Sequence, residues 1–400
     1  MTKIGRRAFL TGASLAAAGA AAGVLRPAPA SAGGPKSKRE DPPAKALVRH
    51  DTPGDKDFPK VGGNLGNQNY TSLSGIHRGN VRRLRGAWYN RIEGGLESGN
   101  SQSTPVVVDG VIFIESALGN VIAVDGRTGV TKWRYEQTRG SLTRRGVAVG
   151  GGKVFTKGRG NWVIALDQET GQVVWERQIN GYGNVQKVAI TYYNDRLYLG
   201  TNDGNEGAAL CVDANNGDVI WHFWGAPRPG EFGNDTWEGD SWRYGGATPW
   251  MHPAIDPELG LVYFTFGNAR GSRSSQDGSE RGGMNLFANS IVALDLNTGE
   301  YRWHFQSVHH DIWDMDNVMA PVLVDAKIRG RDRKLVVYGS KSGMYFILDR
   351  ETGEAPLGIV ERPVPQEPRQ KTWPTQPFPV QGGWMEQELV QQPLGTSIPG

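Results

Sequence analysis

An all-β fold built from repeated four-stranded units is predicted by three observations. One phrase recurs along the chain: VIAVDGRTGVTKW at 121–133, VIALDQETGQVVW at 163–175, ALCVDANNGDVIW at 209–221, IVALDLNTGEYRW at 291–303 and FILDRETGE at 346–354. The chain is rich in turn-forming and docking residues, with 56 Gly and 13 Trp among 400 residues. Helical periodicity is scarce, whereas short apolar runs bounded by turn residues are frequent.

Each repeat reads as an apolar strand, an Asp-x-x-Thr/Asn-Gly turn and a second strand, which in the first four ends on Trp. The Asp side chain bonds turn amides, the Gly takes the left-handed backbone position, and the Trp covers the space between neighbouring sheets. Hairpins such as Thr104–Ile114 supply the other two strands of a unit. Four-stranded units repeating every 40 to 50 residues and stacked radially predict a β-propeller of about six units.

Successive turn aspartates, Asp125, Asp167, Asp213, Asp295 and Asp349, are 42, 46, 82 and 54 residues apart. The long third interval holds either a functional insertion or a repeat whose signature has drifted. The apolar run Val262–Phe266 favours the drifted repeat. After Arg350 the pattern fades, and six Pro between 363 and 379 predict an extended crossing, because Pro cannot donate to a sheet ladder.

The N-terminus divides into three parts. Residues 1–32 read as an export signal: paired Arg6 and Arg7 before Phe9-Leu10, an Ala-rich apolar run, and Ala30-Ser31-Ala32 as a cleavage site. The paired arginines are of the twin-arginine type, which predicts a periplasmic or cell-envelope protein. Residues 33–60 read as a disordered linker, too poor in apolar residues to fold alone, and 61–400 as the folded domain with no further span that could cross a membrane.

The formal charge of +3 comes from this leader, which carries Lys3, Arg6, Arg7 and Arg26 and no acid. The rest is near neutral with scattered Lys and Arg, which speaks against a nucleic-acid partner. Cys211, the only cysteine, sits in an apolar strand and reads as a small buried residue.

Against this background His309-His310-Asp311-Ile312-Trp313-Asp314-Met315-Asp316-Asn317 stands out. If the stretch is extended, Asp314 and Asp316 point to one face and can converge on one cation or share a proton. His309 and His310 either orient a substrate hydroxyl or only build the loop.

The repeats, the lead-in Asn80–Trp88 and the stretch 309–317 together resemble the pyrroloquinoline-quinone (PQQ)-dependent dehydrogenases over about residues 60–380. The phrases HHDIWDMD, ERPVP and PTQPFPV are most similar to the glucose and quinate dehydrogenase branch. The family's propellers usually have eight blades, so the resemblance implies that this chain is an incomplete ring, truncated at its C-terminus. It also implies oxidation of a sugar, polyol or alcohol with PQQ and a divalent metal.

The resemblance assigns roles by position. Glu206, in Asp203-Gly204-Asn205-Glu206, and Asn268, in Gly267-Asn268, fall on metal ligands, joined by Asp314 and a further carboxylate, Asp316. Trp250, eighteen residues before Asn268, falls on the Trp that stacks under the quinone. Gln102, Arg145, Asp203, Thr248 and Lys341 fall on cofactor contacts, and Asp314 and Lys341 on the catalytic base and its cationic partner. Hard oxygen donors select Ca²⁺, with a lanthanide as the variant that Asp316 suggests.

Some family features are missing. The vicinal Cys pair is absent before Arg145, and Val188 and Asp203 replace a Thr and a Ser. With no Cys-x-x-Cys-His, electrons are expected to leave to a separate acceptor, a quinone or cytochrome. The competing reading is a non-catalytic envelope scaffold on the same propeller.

Overall fold

The Asp-x-x-Thr-Gly turn forms as its residues dictate. In the first repeat the Asp125 carboxylate accepts the amides of Arg127 and Thr128 and the Thr128 hydroxyl at 2.8–3.0 Å. Asp167 repeats this pattern at its own turn. Gly129, Gly171, Gly217, Gly299 and Gly353 all have φ between 73° and 79°.

The computed structural model describes residues 49–93, 100–139, 143–185, 187–201, 206–274, 276–317 and 319–381. The export signal and linker residues 33–48 lie outside them, as does Asp203. Among the described residues, four antiparallel four-stranded sheets follow one another along the chain. They span residues 106–135, 148–178, 191–224 and 254–306, and are called blades 1 to 4. Blade 5, residues 322–349, has three strands in its sheet. The chain is the all-β propeller that the repeats predict.

The repeat Trp residues tie each blade to the next by one recurrent contact. The indole Nε1 of Trp133, Trp175, Trp221 and Trp303 donates at 3.0–3.3 Å to the carbonyl just after the turn Asp of the following blade, at Gln168, Ala214, Leu296 and Arg350. The indole ring lies over that turn's glycine, so a Cβ on Gly353 would come within 2.8 Å of the Trp303 ring. Trp88, from the lead-in, does the same to blade 1 through Gly126. Between the sheets the buried faces are Val, Ile, Leu and Phe, with Cys211 fully buried in blade 3 and its thiol pushed up to about 12.

Three sequence expectations are corrected. The 82-residue interval holds no drifted repeat: Leu261–Thr265 is the second strand of blade 4, and the extra length is in residues 225–253 and 266–289. Residues 49–60, assigned to the linker, are packed on the sheets, since Phe58 pairs with Val107 and the Gly66 amide donates to His50. The Pro-rich tail forms a two-stranded ribbon, Ile359–Pro363 against Thr375–Pro379. A ribbon has only edge strands, where Pro377 and Pro379 can turn their donor-less nitrogens outward.

The up-and-down order within each blade has a functional consequence. Connections between strands 2 and 3, and from strand 4 to the next blade, must emerge on one face, while the Asp-x-x-Thr-Gly turns between strands 3 and 4 lie on the other. Glu206, Asn268 and Lys341 are in strand 2–3 connections. Gln102, Arg145, Thr248, Trp250, Asp314 and Asp316 precede first strands. All therefore share the face opposite the repeat turns.

Candidate active site

Five chain segments are stitched together on this face. Glu206 pairs with Gly246 in a parallel bridge, and Gly246 pairs with Ala269. The Gly267 amide donates to the Thr248 carbonyl at 3.0 Å, and the Lys341 amide to the Asp316 carbonyl at 3.1 Å.

Side chains meet on this frame. The Lys341 ammonium lies 2.7 Å from Asp316 Oδ2 and 3.1 Å from Asp314 Oδ2. The other Asp316 oxygen accepts the Asn268 amide at 2.7 Å. A Cβ on Gly267 would stand 2.5 Å from Asp316 Oδ1 and 3.1 Å from Trp250 Nε1, so only glycine lets the indole and the carboxylate share this point.

The electrostatics follow from burial and pairing. Burial raises the Asp316 carboxyl, opposed by the hydrogen bond from Lys341 and the Asn268 amide. Burial lowers the Lys341 ammonium, but Asp316 and Asp314 outweigh it and the net direction is up. The two directions oppose each other for one pair. Two donors within 2.7 Å of Asp316 favour its ionised form here, as a carboxylate accepting such bonds is stabilised.

Arg145 lies with its guanidinium 4.4 Å from the Trp250 ring centroid, with Nε donating to the Lys187 carbonyl at 2.7 Å. Burial lowers its pKa to about 10. Thr248 is half-buried two residues before Trp250, and Gln102 is exposed.

The expected convergence of carboxylates takes a different form. Among the described residues, Glu206, Asp314 and Asp316 do not form a group within 4.8 Å. Each is paired with a protein cation instead: Arg228 donates to Glu206 at 3.0 Å, and Lys341 holds the two aspartates. The donor set nonetheless fits a hard cation. Asn268 Nδ2 is committed to the Ala269 carbonyl at 3.0 Å, which leaves its Oδ1 as the amide atom able to join the carboxylates. Two other acidic groups around His50 are filled by Arg350 and Arg49, which lie 2.6 Å from Asp256 and 2.9 Å from Glu258.

The stretch 309–317 is a loop, not an extended strand, and Asp314 has φ +63°. What shapes it is Asp311, which the sequence reading passed over. Its buried carboxylate accepts the Trp313 and Met315 amides at 2.8 and 2.7 Å and Asn289 Nδ2 at 2.9 Å. Burial raises its pKa against these bonds. An Asp followed two residues on by an amide donor is an Asx-turn signal, and it was available in Asp311-Ile312-Trp313. The histidines build the loop: His309 bonds Gln306 and Glu361, and His310 faces the Gly283 and Gln370 carbonyls. Arg228, which also stacks on Trp224 at 4.0 Å, carried no motif at all.

A groove of about 330 Å³ opens beside Asp314 and Lys341. Their sequence neighbours Trp313, Met315 and Ser342 line it, with Val308, Met344 and Phe378.

The family described as glucose/ethanol/alcohol dehydrogenase, beta-propeller domain, of PQQ type, matches residues 58–157 and 184–396. The chain belongs to the PQQ-dependent dehydrogenase family. It is 32% identical over 378 residues to a quinohemoprotein alcohol dehydrogenase of Comamonas testosteroni, covering 88% of this chain and 52% of that protein. It is 31% identical over 315 residues to the quinoprotein alcohol dehydrogenase PedH of Pseudomonas putida, covering 72% of this chain and 52% of the relative. The chain thus spans about half the length of the curated relatives it matches.

Solved structures agree. The Comamonas testosteroni quinohemoprotein alcohol dehydrogenase superposes with a TM-score of 0.67 at 31% identity, over 77% of this chain and 49% of that one. A europium-containing methanol dehydrogenase gives 0.67 at 26%, over 75% and 57%. These relatives are named for alcohols, while the sequence phrases resembled the glucose and quinate branch. Among the described residues no helix is long and apolar enough to cross a membrane.

Proposed function

We propose that this chain forms the cofactor and metal face of an exported PQQ-dependent dehydrogenase that oxidises a sugar, polyol or alcohol by hydride transfer to the quinone. The observation that carries the reading is Lys341 held between Asp314 and Asp316, with Asp316 bonded to the Asn268 amide. Glu206, Asn268, Asp314 and Asp316 would hold Ca²⁺ or a lanthanide. Trp250 would stack on the quinone, with Gln102, Arg145, Asp203, Thr248 and Lys341 around its polar edge.

When bound, PQQ supplies the two-electron acceptor and the cation a Lewis acid. The residues supply the rest. Asp314, half-exposed and 3.1 Å from the Lys341 ammonium, would accept the substrate hydroxyl proton at Oδ2 as the carbinol carbon loses its hydride. Lys341 keeps its charge next to the two carboxylates and offers a donor to a carbonyl oxygen. Asp316, bonded on both oxygens, positions Lys341. The apolar groove lined by Trp313 and Met315, the sequence neighbours of Asp314, favours an alcohol with an apolar body over an aldose. Electrons would pass to a separate quinone or cytochrome.

Reconstitution with PQQ and Ca²⁺ or La³⁺, followed by desalting, tests cofactor binding. Dye reduction across primary alcohols, polyols and aldoses then tests the substrate class. Loss of all quinone absorbance on desalting would sink the enzyme reading in favour of a scaffold.

A further inference from the structure

Glu115 and Lys157 form an ion pair in which both side chains are fully buried. Glu115 ends the second strand of blade 1, and Lys157 lies near the end of the second strand of blade 2, so the pair crosses a blade junction. Lys157 Nζ uses its donors on Glu115 Oε1 and Oε2 at 3.1 and 2.8 Å and on the Gly146 carbonyl at 3.0 Å. Glu115 Oε2 also accepts the Gly146 amide at 2.9 Å. The pair therefore grips both polar groups of one residue, next in sequence to Arg145.

A buried ion pair is weak evidence for stability, because removing both charges from water offsets their attraction. Its value here is geometric. Gly146 has φ +95°, and a Cβ there would come 3.0 Å from Val61 and 3.2 Å from the Thr104 carbonyl, so the backbone is held in one narrow conformation. Held this way, it delivers the Arg145 guanidinium to Trp250, 4.4 Å from the ring centroid.

We infer that Glu115 and Lys157 are positioning residues that fix the Gly146 backbone and thereby aim Arg145 at the carboxylates of the quinone cofactor. The inference rests on the reading of Arg145 and Trp250 as cofactor residues. Neither residue of the pair touches the cofactor itself; both act through Arg145.

The test is a cycle of variants in the full chain, with PQQ binding read by quenching of Trp fluorescence in the presence of Ca²⁺ and folding read by thermal melting. In Glu115→Met/Lys157→Met no buried charge is left unpaired, but the buried Gly146 N–H and C=O lose their partners, so the variant should fold and melt below the parent. Its PQQ affinity should fall on the order of tenfold, as for loss of an outer-shell partner. In an Arg145→Ala background the same double change should cost nothing further. An equal loss in that background, or none in the parent, overturns the inference. If Arg145→Ala alone leaves PQQ affinity unchanged, the cofactor reading of Arg145 fails and takes the inference with it. If Arg145→Ala weakens binding while the pair variant does not, only the inference fails. Should the double variant not fold, Glu115→Gln serves: hydrogen exchange at the Gly146 amide should speed up together with the loss of PQQ affinity, and faster exchange without that loss overturns the inference.

Discussion

Replacing Asp311 by Asn tests whether the loop that carries Asp314 is shaped by one buried carboxylate. In the native protein Oδ1 accepts the Trp313 amide, and Oδ2 accepts the Met315 amide and Asn289 Nδ2. An Asn can keep its oxygen at one of these positions, but its NH₂ must then face an amide donor. At least one charge-assisted hydrogen bond is lost and one buried N–H is left unpaired, a destabilisation of about 2–4 kcal/mol. Because Asp314 sits at φ +63° only inside this frame, its carboxylate should also leave Lys341. Denaturant unfolding measures the first effect. The ratio of dye-reduction rate to PQQ bound measures the second and should drop on the order of 10²-fold, the cost of misplacing a reacting group by about an ångström. A stability change under about 0.5 kcal/mol, or a loss of stability with the rate per bound PQQ intact, would refute the reasoning.

The remaining expectations concern single positions. Gly353→Ala combines a left-handed backbone, φ +79°, with a Cβ 2.8 Å from the Trp303 ring, and should cost about 2–4 kcal/mol. Gly330→Ala, at φ +77° with nothing within 4 Å, should cost only the backbone part, about 1 kcal/mol, so urea midpoints of the two variants isolate the Trp contact. Gly267→Ala should abolish retention of PQQ on desalting while leaving the far-UV spectrum unchanged, since its Cβ would displace Asp316 or Trp250. Burial lowers the Lys60 ammonium to about 7, so between about pH 7 and 10 the folded state binds fewer protons than the unfolded chain and stability rises with pH. Lys60→Met removes this titration together with the bonds to the Val61 carbonyl and Asn67 Oδ1, so its stability relative to the parent should fall as the pH rises from about 7 to 10, as thermal melts across that range would show.

Much of the candidate site was legible because the family resemblance rests on short local phrases. The Gly267-Asn268 pair and the Trp250 spacing are visible in a line of letters, as is the Asp314/Asp316 doublet. What hid Asp311 was the richness of its own neighbourhood, where three aspartates compete for attention and two, Asp311 and Asp316, are buried. Arg228 was hidden for the opposite reason. It lies in the long insertion between blades 3 and 4, and its partner Glu206 is found only once residues 206 and 246 pair.

By itself the sequence determined the repeat and its docking. An Asp that closes a turn, a Gly that must be left-handed and a Trp one strand later are satisfied within a few residues, so the propeller unit and its order are readable locally. The tertiary structure alone decided which face gathers the candidate site residues and how the charges pair. Whether Asp316 meets Lys341 or Glu206 meets Arg228, and whether Glu115 reaches Lys157 across a blade junction, depends on the stacking of separate sheets. Such contacts join residues distant in sequence through burial and Coulomb energy, and neither leaves a periodic trace along the chain.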